Sequence, residues 1–209
     1  MDVGFVALNG SERTHGTTAT CLERARAHLA LRSCSMEVIH LVKHDIRVCR
    51  CGRCNSRTDP CPVDDQVPEI VKRMTGAEAI VYAAPVHGFG VASVMQLFIE
   101  RAGVGRLRFN RPLTNKVGGV VVVGRRHAHA LAYGQLVSNL LLNRMILAGS
   151  GLPAVIHAGG PADVDRDEEG LDAMYRMLDR MVDMCLTLRS AHHALTPSVG
   201  VERRWGALS

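Results

Sequence analysis

Short apolar runs alternate with stretches of helical period from residue 3 to residue 189, and this alternation constrains the fold more than any other feature of the chain. The apolar runs at 3–8, 35–41, 79–83, 117–123 and 153–157 are too short for buried helices and read as strands covered on both faces. Helical patterns fall between and after them, at 17–31, 66–74, 92–102, 131–148 and 167–189. A strand that pairs in parallel with its neighbour needs such a crossover, so the pattern predicts a three-layer α/β domain over 1–189. Its core would be a doubly wound, five-stranded parallel sheet of order 2-1-3-4-5, with right-handed crossovers. In that order ligands sit beyond the carboxyl ends of strands one, three and four. Residues 190–209 have no strong period and carry Arg203-Arg204-Trp205, which reads as a C-terminal tail, frayed or acting as a dimer strap.

Composition narrows the partners. With 209 residues, 47% hydrophobic and 22% charged, the chain suffices for one well-buried domain. The formal charge of +5 is scattered over Arg24, Arg26, Arg125, Arg126, Arg203 and Arg204 with few aromatic residues nearby, so nucleic acid is not expected as a partner. No apolar run is long enough for a membrane span, and the N-terminus enters a strand directly, so the expectation is a cytoplasmic protein with no membrane partner.

Three loops at the expected carboxyl edge carry unusual residues. The first contains Gly10, Ser11, Arg13, Gly16, Thr17 and Thr18 between strand one and the first helix. Glycines, hydroxyls and one arginine there suit a phosphate cradle at a helix N-terminus; the plainer alternative is an ordinary turn with Thr17 or Thr18 as helix cap. The dinucleotide fingerprint and the triphosphate loop are both absent, which favours a terminal monophosphate. The second loop, Pro85, Val86, His87, Gly88 and Phe89, has small residues that let a flat heterocycle approach the backbone, or it is a plain turn. The third concentrates Gly124, Arg125, Arg126, His127 and His129, either as a solvated turn or to stabilise negative charge on a reduced ring or recruit an anionic reductant.

A second constellation is the cysteine-rich segment at 45–65, with Cys49, Cys51, Cys54 and Cys61 followed by Asp64 and Asp65. Four cysteines this close suit a zinc ion or an iron-sulfur centre, or are free thiols in a structural loop. Disulfides do not suit a cytoplasmic chain with seven cysteines. Asp64 and Asp65 are placed to cap the next helix. Met174, Met177, Met181 and Met184 recur at helical spacing as a core or dimer-packing stripe. His192-His193 reads as a surface pair. No nucleophile elbow is present, and Cys21 lies within a helical pattern, so hydrolase chemistry has no support.

With these loops in place, residues 3–150 resemble the NADPH-dependent FMN reductase group of flavodoxin-like proteins, and in particular its iron-sulfur flavoprotein branch. The first-loop pattern Gly-Ser-x-Arg-x-x-Gly-Asn-Thr is matched by Gly10, Ser11, Arg13, Gly16 and Thr18, with Thr17 in place of asparagine. The strand-three loop is matched by Pro85 and Gly88, with His87 where tyrosine is usual and the Ser93–Arg101 stretch following. The resemblance implies FMN as cofactor, its phosphate on the first loop and its ring between the other two, with Val86 and Phe89 on the flank and Gly124, Arg125 and His127 beyond. It implies NAD(P)H as cosubstrate and a small electron acceptor such as a quinone, flavin, nitro or azo compound. Hydride transfer through FMN needs no side-chain acid or base, so no catalytic residue is assigned; His87 or His127 would offer a hydrogen bond near the ring. The branch binds a [4Fe-4S] cluster at C-x2-C-x2-C-x(several)-C, and here Cys51, Cys54 and Cys61 keep that register while Cys49 is one residue closer. Flavin sites in this family lie at subunit interfaces, which implies a homodimer or homotetramer. Two other readings are an electron carrier between ferredoxin-like partners and a non-enzymatic flavin or thiol redox sensor.

Overall fold

The computed structural model describes residues 2–50, 61–102 and 111–191. Five lanes of parallel strand form the sheet. The described elements in chain order are β1 (Gly4–Asn9), α1 (Thr17–Leu31), β2 (Ser35–His40), α2 (Val67–Gly76), β3 (Ala79–His87), β4 (Gly90–Val91), α3 (Ser93–Ile99), β5 (Val117–Gly124), α4 (His129–Leu142), β6 (Ile146–Leu147), β7 (Ala154–His157) and α5 (Glu168–Ser190). β2, β1, β3 and β5 lie side by side, with Phe5 opposite Ala79, Ala79 opposite Val117 and Gly4 opposite Ser35. This is the flavodoxin-like arrangement that the alternation of runs predicts.

The expected order 2-1-3-4-5 is kept, since β7, the fifth expected strand, lies beside β5, but the fifth lane is not a single strand. Two short strands share it: β6 pairs with Val117 and Gly118 at the start of β5, and β7 pairs with residues 121–124 at its end. The cause lies in α4, which ends six residues before its apolar pattern does. Arg144 adopts a left-handed φ of 57°, its N–H donates to the Leu141 carbonyl, and the Met145 N–H donates to the Leu140 carbonyl. These are the two bonds of a Schellman cap, here without the usual glycine. The chain released by the cap reaches the sheet early enough to add β6. α1 closes in the same way, with Ser33 at φ 54° and the Cys34 N–H on the Leu29 carbonyl.

Both faces of the sheet are covered. Phe5, Ala7, Val81 and Val121 pack with Cys21, Leu22 and Leu29 of α1 and with Met174, Met177, Leu178 and Met181 of α5. Val6, Leu8, Ile80 and Val120 pack with Ile70 and Met74 of α2, Met95 and Phe98 of α3, and Leu136 and Leu140 of α4. The methionine stripe is therefore core: Met177 and Met181 lie where β5 has Gly119 and no side chain separates sheet from helix. Burial pushes the Cys21 thiol up to about 12, with Asp167 adding to the effect, and leaves it inert. Among the described residues no helix is long and apolar enough to cross a membrane.

Met177→Ala removes a side chain that is 1% exposed, and unfolding free energy falls by about 2–5 kcal/mol. Chemical denaturation measures this, and a loss below about 0.5 kcal/mol would show that the stripe does not carry the core.

Candidate functional site

The carboxyl ends of β1, β3 and β5 lie next to one another because the three strands are adjacent and parallel. The loops that leave them meet on one edge. At the end of β1 the ladder gains a further bond, Gly10 N–H to the Ala83 carbonyl at 2.8 Å. A Cβ on Gly10 would fall 2.6 Å from Met95 Cβ, so only glycine lets the strand leave this close to α3. The next turns are closed by side chains. Asn9 Oδ1 accepts from the Ser11 N–H at 3.0 Å, and Ser11 Oγ accepts from the Arg13 N–H at 3.1 Å.

The loop ends at Gly16, the N-cap of α1, which supplies no side-chain cap, and the first turn holds no acidic residue. Thr17 and Thr18 are thus inside the helix and do not cap it. The opening N–H groups of a 15-residue helix are left without a capping side chain, and the helix dipole makes that point favourable for an anion.

β3 runs four residues beyond the expected 79–83. Ala84 and Pro85 still pair with β5, and Val86 and His87 turn back onto β4 through Gly88 and Phe89. Both turn residues have positive φ, 54° and 67°, which is the type I′ signature of a two-residue hairpin. Phe89 is 70% exposed at the tip.

Glu12 joins this hairpin to the first loop, and the sequence reading passed over it. Its Oε1 accepts from the Ser93 N–H at 3.1 Å and from Ser93 Oγ at 2.9 Å, while Oε2 lies 3.3 Å from His87 Nδ1. Partial burial opposes ionisation, but its own backbone N–H, the Ser93 hydroxyl and the His87 ring outweigh it and hold the carboxyl below its usual range. The partners lie 81 residues apart in sequence, so no local spacing announces the bridge.

From the end of β5, Arg125, Arg126 and His127 extend as exposed side chains, and with Val86 they line a cleft of about 300 Å³. Ala128 then takes φ 62° as the N-cap of α4. His129 tucks under Gly124, where a Cβ would stand 2.7 Å from its Nε2 and 3.2 Å from Val86 Cγ2. The structure therefore brings loops one, two and three together. His87 is engaged by Glu12, whereas His127 stays at the cleft.

Of the cysteine-rich segment, Cys49 and Cys61 are half-buried, while Cys51 and Cys54 lie outside the described residues, as does His192-His193. Arg101, just past α3, is 2% exposed, donates to Asp65 Oδ2 at 2.5 Å and lies 3.5 Å from Cys61 Sγ. Asp65 Oδ1 meets the Val67 N–H at the start of α2, as a capping aspartate should. Burial alone would raise the Asp65 carboxyl; the Arg101 guanidinium and the N–H groups of Arg47 and Val67 outweigh it and keep it low. Among the described residues no group of three or more metal-binding side chains converges.

Sheet order, loop placement and an uncapped helix start define a flavodoxin-like α/β protein with an anion-favouring edge. The chain belongs to the NADPH-dependent FMN reductase family, whose model matches residues 3–160. It is accordingly an oxidoreductase of the NAD(P)H- and FMN-dependent class. An iron-sulfur flavoprotein of Methanocaldococcus jannaschii is 31% identical over 176 residues, covering 80% of this chain and 89% of its own. In fold the chain is similar to RosB bound to 8-demethyl-8-formylriboflavin-5'-phosphate, with a TM-score of 0.71, 14% identity and coverage of 99% of this chain and 93% of RosB. It is also similar to FerB, an NAD(P)H:acceptor flavoenzyme of Paracoccus denitrificans, with a TM-score of 0.64, 14% identity and coverage of 88% and 98%.

Glu12→Gln keeps an acceptor for Ser93 and removes the charge facing His87. A carboxyl held low in the fold stabilises it above the unfolded value and loses that contribution as pH falls through the lowered one. The gap in denaturation midpoint between wild type and Glu12→Gln is therefore open at pH 7 and closes below the ordinary value of 4.5, as a pH series of unfolding curves will read.

Proposed function

We propose that FMN lies along the carboxyl edge with its phosphate in the first loop, and that the enzyme passes reducing equivalents from NAD(P)H to a small acceptor. The observation that carries this reading is the uncapped N-terminus of α1 behind Gly10, Ser11, Arg13 and Gly16. The first-turn N–H groups of Thr17 and Thr18 and the Arg13 side chain meet the phosphate. The hairpin at Pro85, Val86, His87, Gly88 and Phe89 borders one flank of the ring, and Gly124, Arg125 and His127 border the other. When bound, FMN supplies two-electron chemistry, accepting hydride from a nicotinamide and returning electrons to a second substrate. Arg125 and Arg126 stand exposed at the same rim, where their charge favours approach of an anionic dinucleotide. Glu12 keeps the first loop and the hairpin at a fixed separation.

Thr17→Asp tests the cradle with opposite signs. A carboxylate at a helix N-terminus favours the helix, so the fold is kept, while the phosphate meets a like charge. FMN affinity falls by about tenfold to hundredfold and riboflavin affinity is unchanged. Fluorescence titration with both flavins reads the difference; equal losses for the two would remove the phosphate from this loop.

A cluster on Cys49, Cys51, Cys54 and Cys61 is favoured by one specific feature, the buried Arg101 guanidinium against Cys61 Sγ, which stabilises an anionic sulfur at that position. Protein purified without oxygen then carries about four irons per chain and absorbs beyond the flavin bands. Less than one iron per chain, equal in Cys61→Ser, would leave these residues as thiols.

A further inference from the structure

Behind the third loop, on the far side of residues 124–129, a separate cavity of about 650 Å³ opens between the first turns of α4 and the 149–153 segment that leads into β7. Tyr133, Leu152, Pro153 and Val155 make its walls largely apolar, and none of its lining residues is Asp, Glu, Lys or Arg. The size is that of a small-molecule site.

Two features bear on what the cavity could hold. Gly134 stands inside α4, where glycine is worse for the helix than alanine, yet a Cβ there would meet no atom within 4 Å. Gly149 across the opening is equally unobstructed. Nothing among the described residues requires these side chains to be absent, whereas a flat occupant would. The imidazoles supply the second feature. The His157 backbone N–H donates to Asp167 Oδ2 at 2.5 Å and its ring Nδ1 lies 3.5 Å from the same oxygen, so the carboxylate holds the Nδ1 side of the ring and leaves Nε2 for a ligand. His129 packs on that ring with centroids 4.4 Å apart, is 8% exposed, and its Nε2 has no hydrogen-bond partner among the described residues.

We propose that this cavity binds an uncharged, flat aromatic ring carrying a hydroxyl group, with the ring on the bare face of Gly134 and the hydroxyl donating to His157 Nε2. An apolar, uncharged wall selects against ions, the glycine face selects a plane, and the His157 ring offers a partner for an O–H. Its lining shares none of the residues proposed to hold FMN, so the two sites can be read separately.

The probe is 2-naphthol, titrated calorimetrically into FMN-loaded oxidised protein, with naphthalene as the ligand that lacks the hydroxyl. Wild type binds one 2-naphthol per chain. Gly134→Val fills the opening and weakens binding by at least about tenfold, with FMN content unchanged. Gly134→Ala, which favours the helix, raises the thermal midpoint and weakens binding to a smaller extent. His157→Phe weakens 2-naphthol about fivefold and leaves naphthalene as it was. Absence of saturable binding to wild type overturns the proposal, as does equal binding to Gly134→Val. Flavin absorbance is read in the same samples, so failure of FMN to bind while 2-naphthol still does would count against the flavin reading alone.

Discussion

Parallel pairing of β1, β3 and β5 through the centre of the sheet is the constraint on which the site rests. Three adjacent strands running the same way deliver three loops to one edge, and the register Phe5–Ala79–Val117 sets how far each loop reaches. Both faces of these strands are buried, so a slip would place every side chain in the wrong layer. The bond from Gly10 to Ala83 carries the pairing one residue past the end of β1, to the point where the first loop begins.

Beyond the sheet the loops are fixed by a few polar contacts and by strained backbone. Asn9 and Ser11 close successive turns, and Glu12 ties the first loop to the hairpin and to the start of α3. Phe89 and Ala128 both hold left-handed conformations without being glycine, at a cost of about 1–2 kcal/mol each. They stand at the two borders of the candidate flavin edge, where the hairpin turns and where α4 begins. α3 links that edge to the cysteine-rich segment, since Ser93 at its start is held by Glu12 and Arg101 just past its end is held by Asp65.

The third loop faces two ways. Arg125, Arg126 and His127 project to the cleft shared with Val86, while His129 turns inward under Gly124 and meets His157. Two arginines on one side and a packed imidazole pair on the other divide the edge into an anion-favouring half and a half with a largely apolar cavity. Few residues accomplish this division because Gly124 leaves room for His129 where any other side chain would collide.

Element type was legible in the sequence because a period of two or 3.6 is a local property, and burial on both faces writes itself as unbroken apolar runs. α1 was read to its observed ends, and the Gly10–Thr18 loop was identified from its glycines and hydroxyls alone. Long-range geometry was not legible in the same way. The Schellman cap at Arg144 carries no glycine, so α4 was extended too far and the split fifth lane was missed. Glu12 meets Ser93, Asp65 meets Arg101 and His129 meets His157 across 28 to 81 residues of chain, distances that no periodicity spans. The sequence by itself determined the layers, the five lanes of the sheet and the glycine- and hydroxyl-bearing first loop, because each follows from local pattern. Only the tertiary structure decided which side chains brace the edge and where a second cavity opens, because those depend on how remote segments pack together.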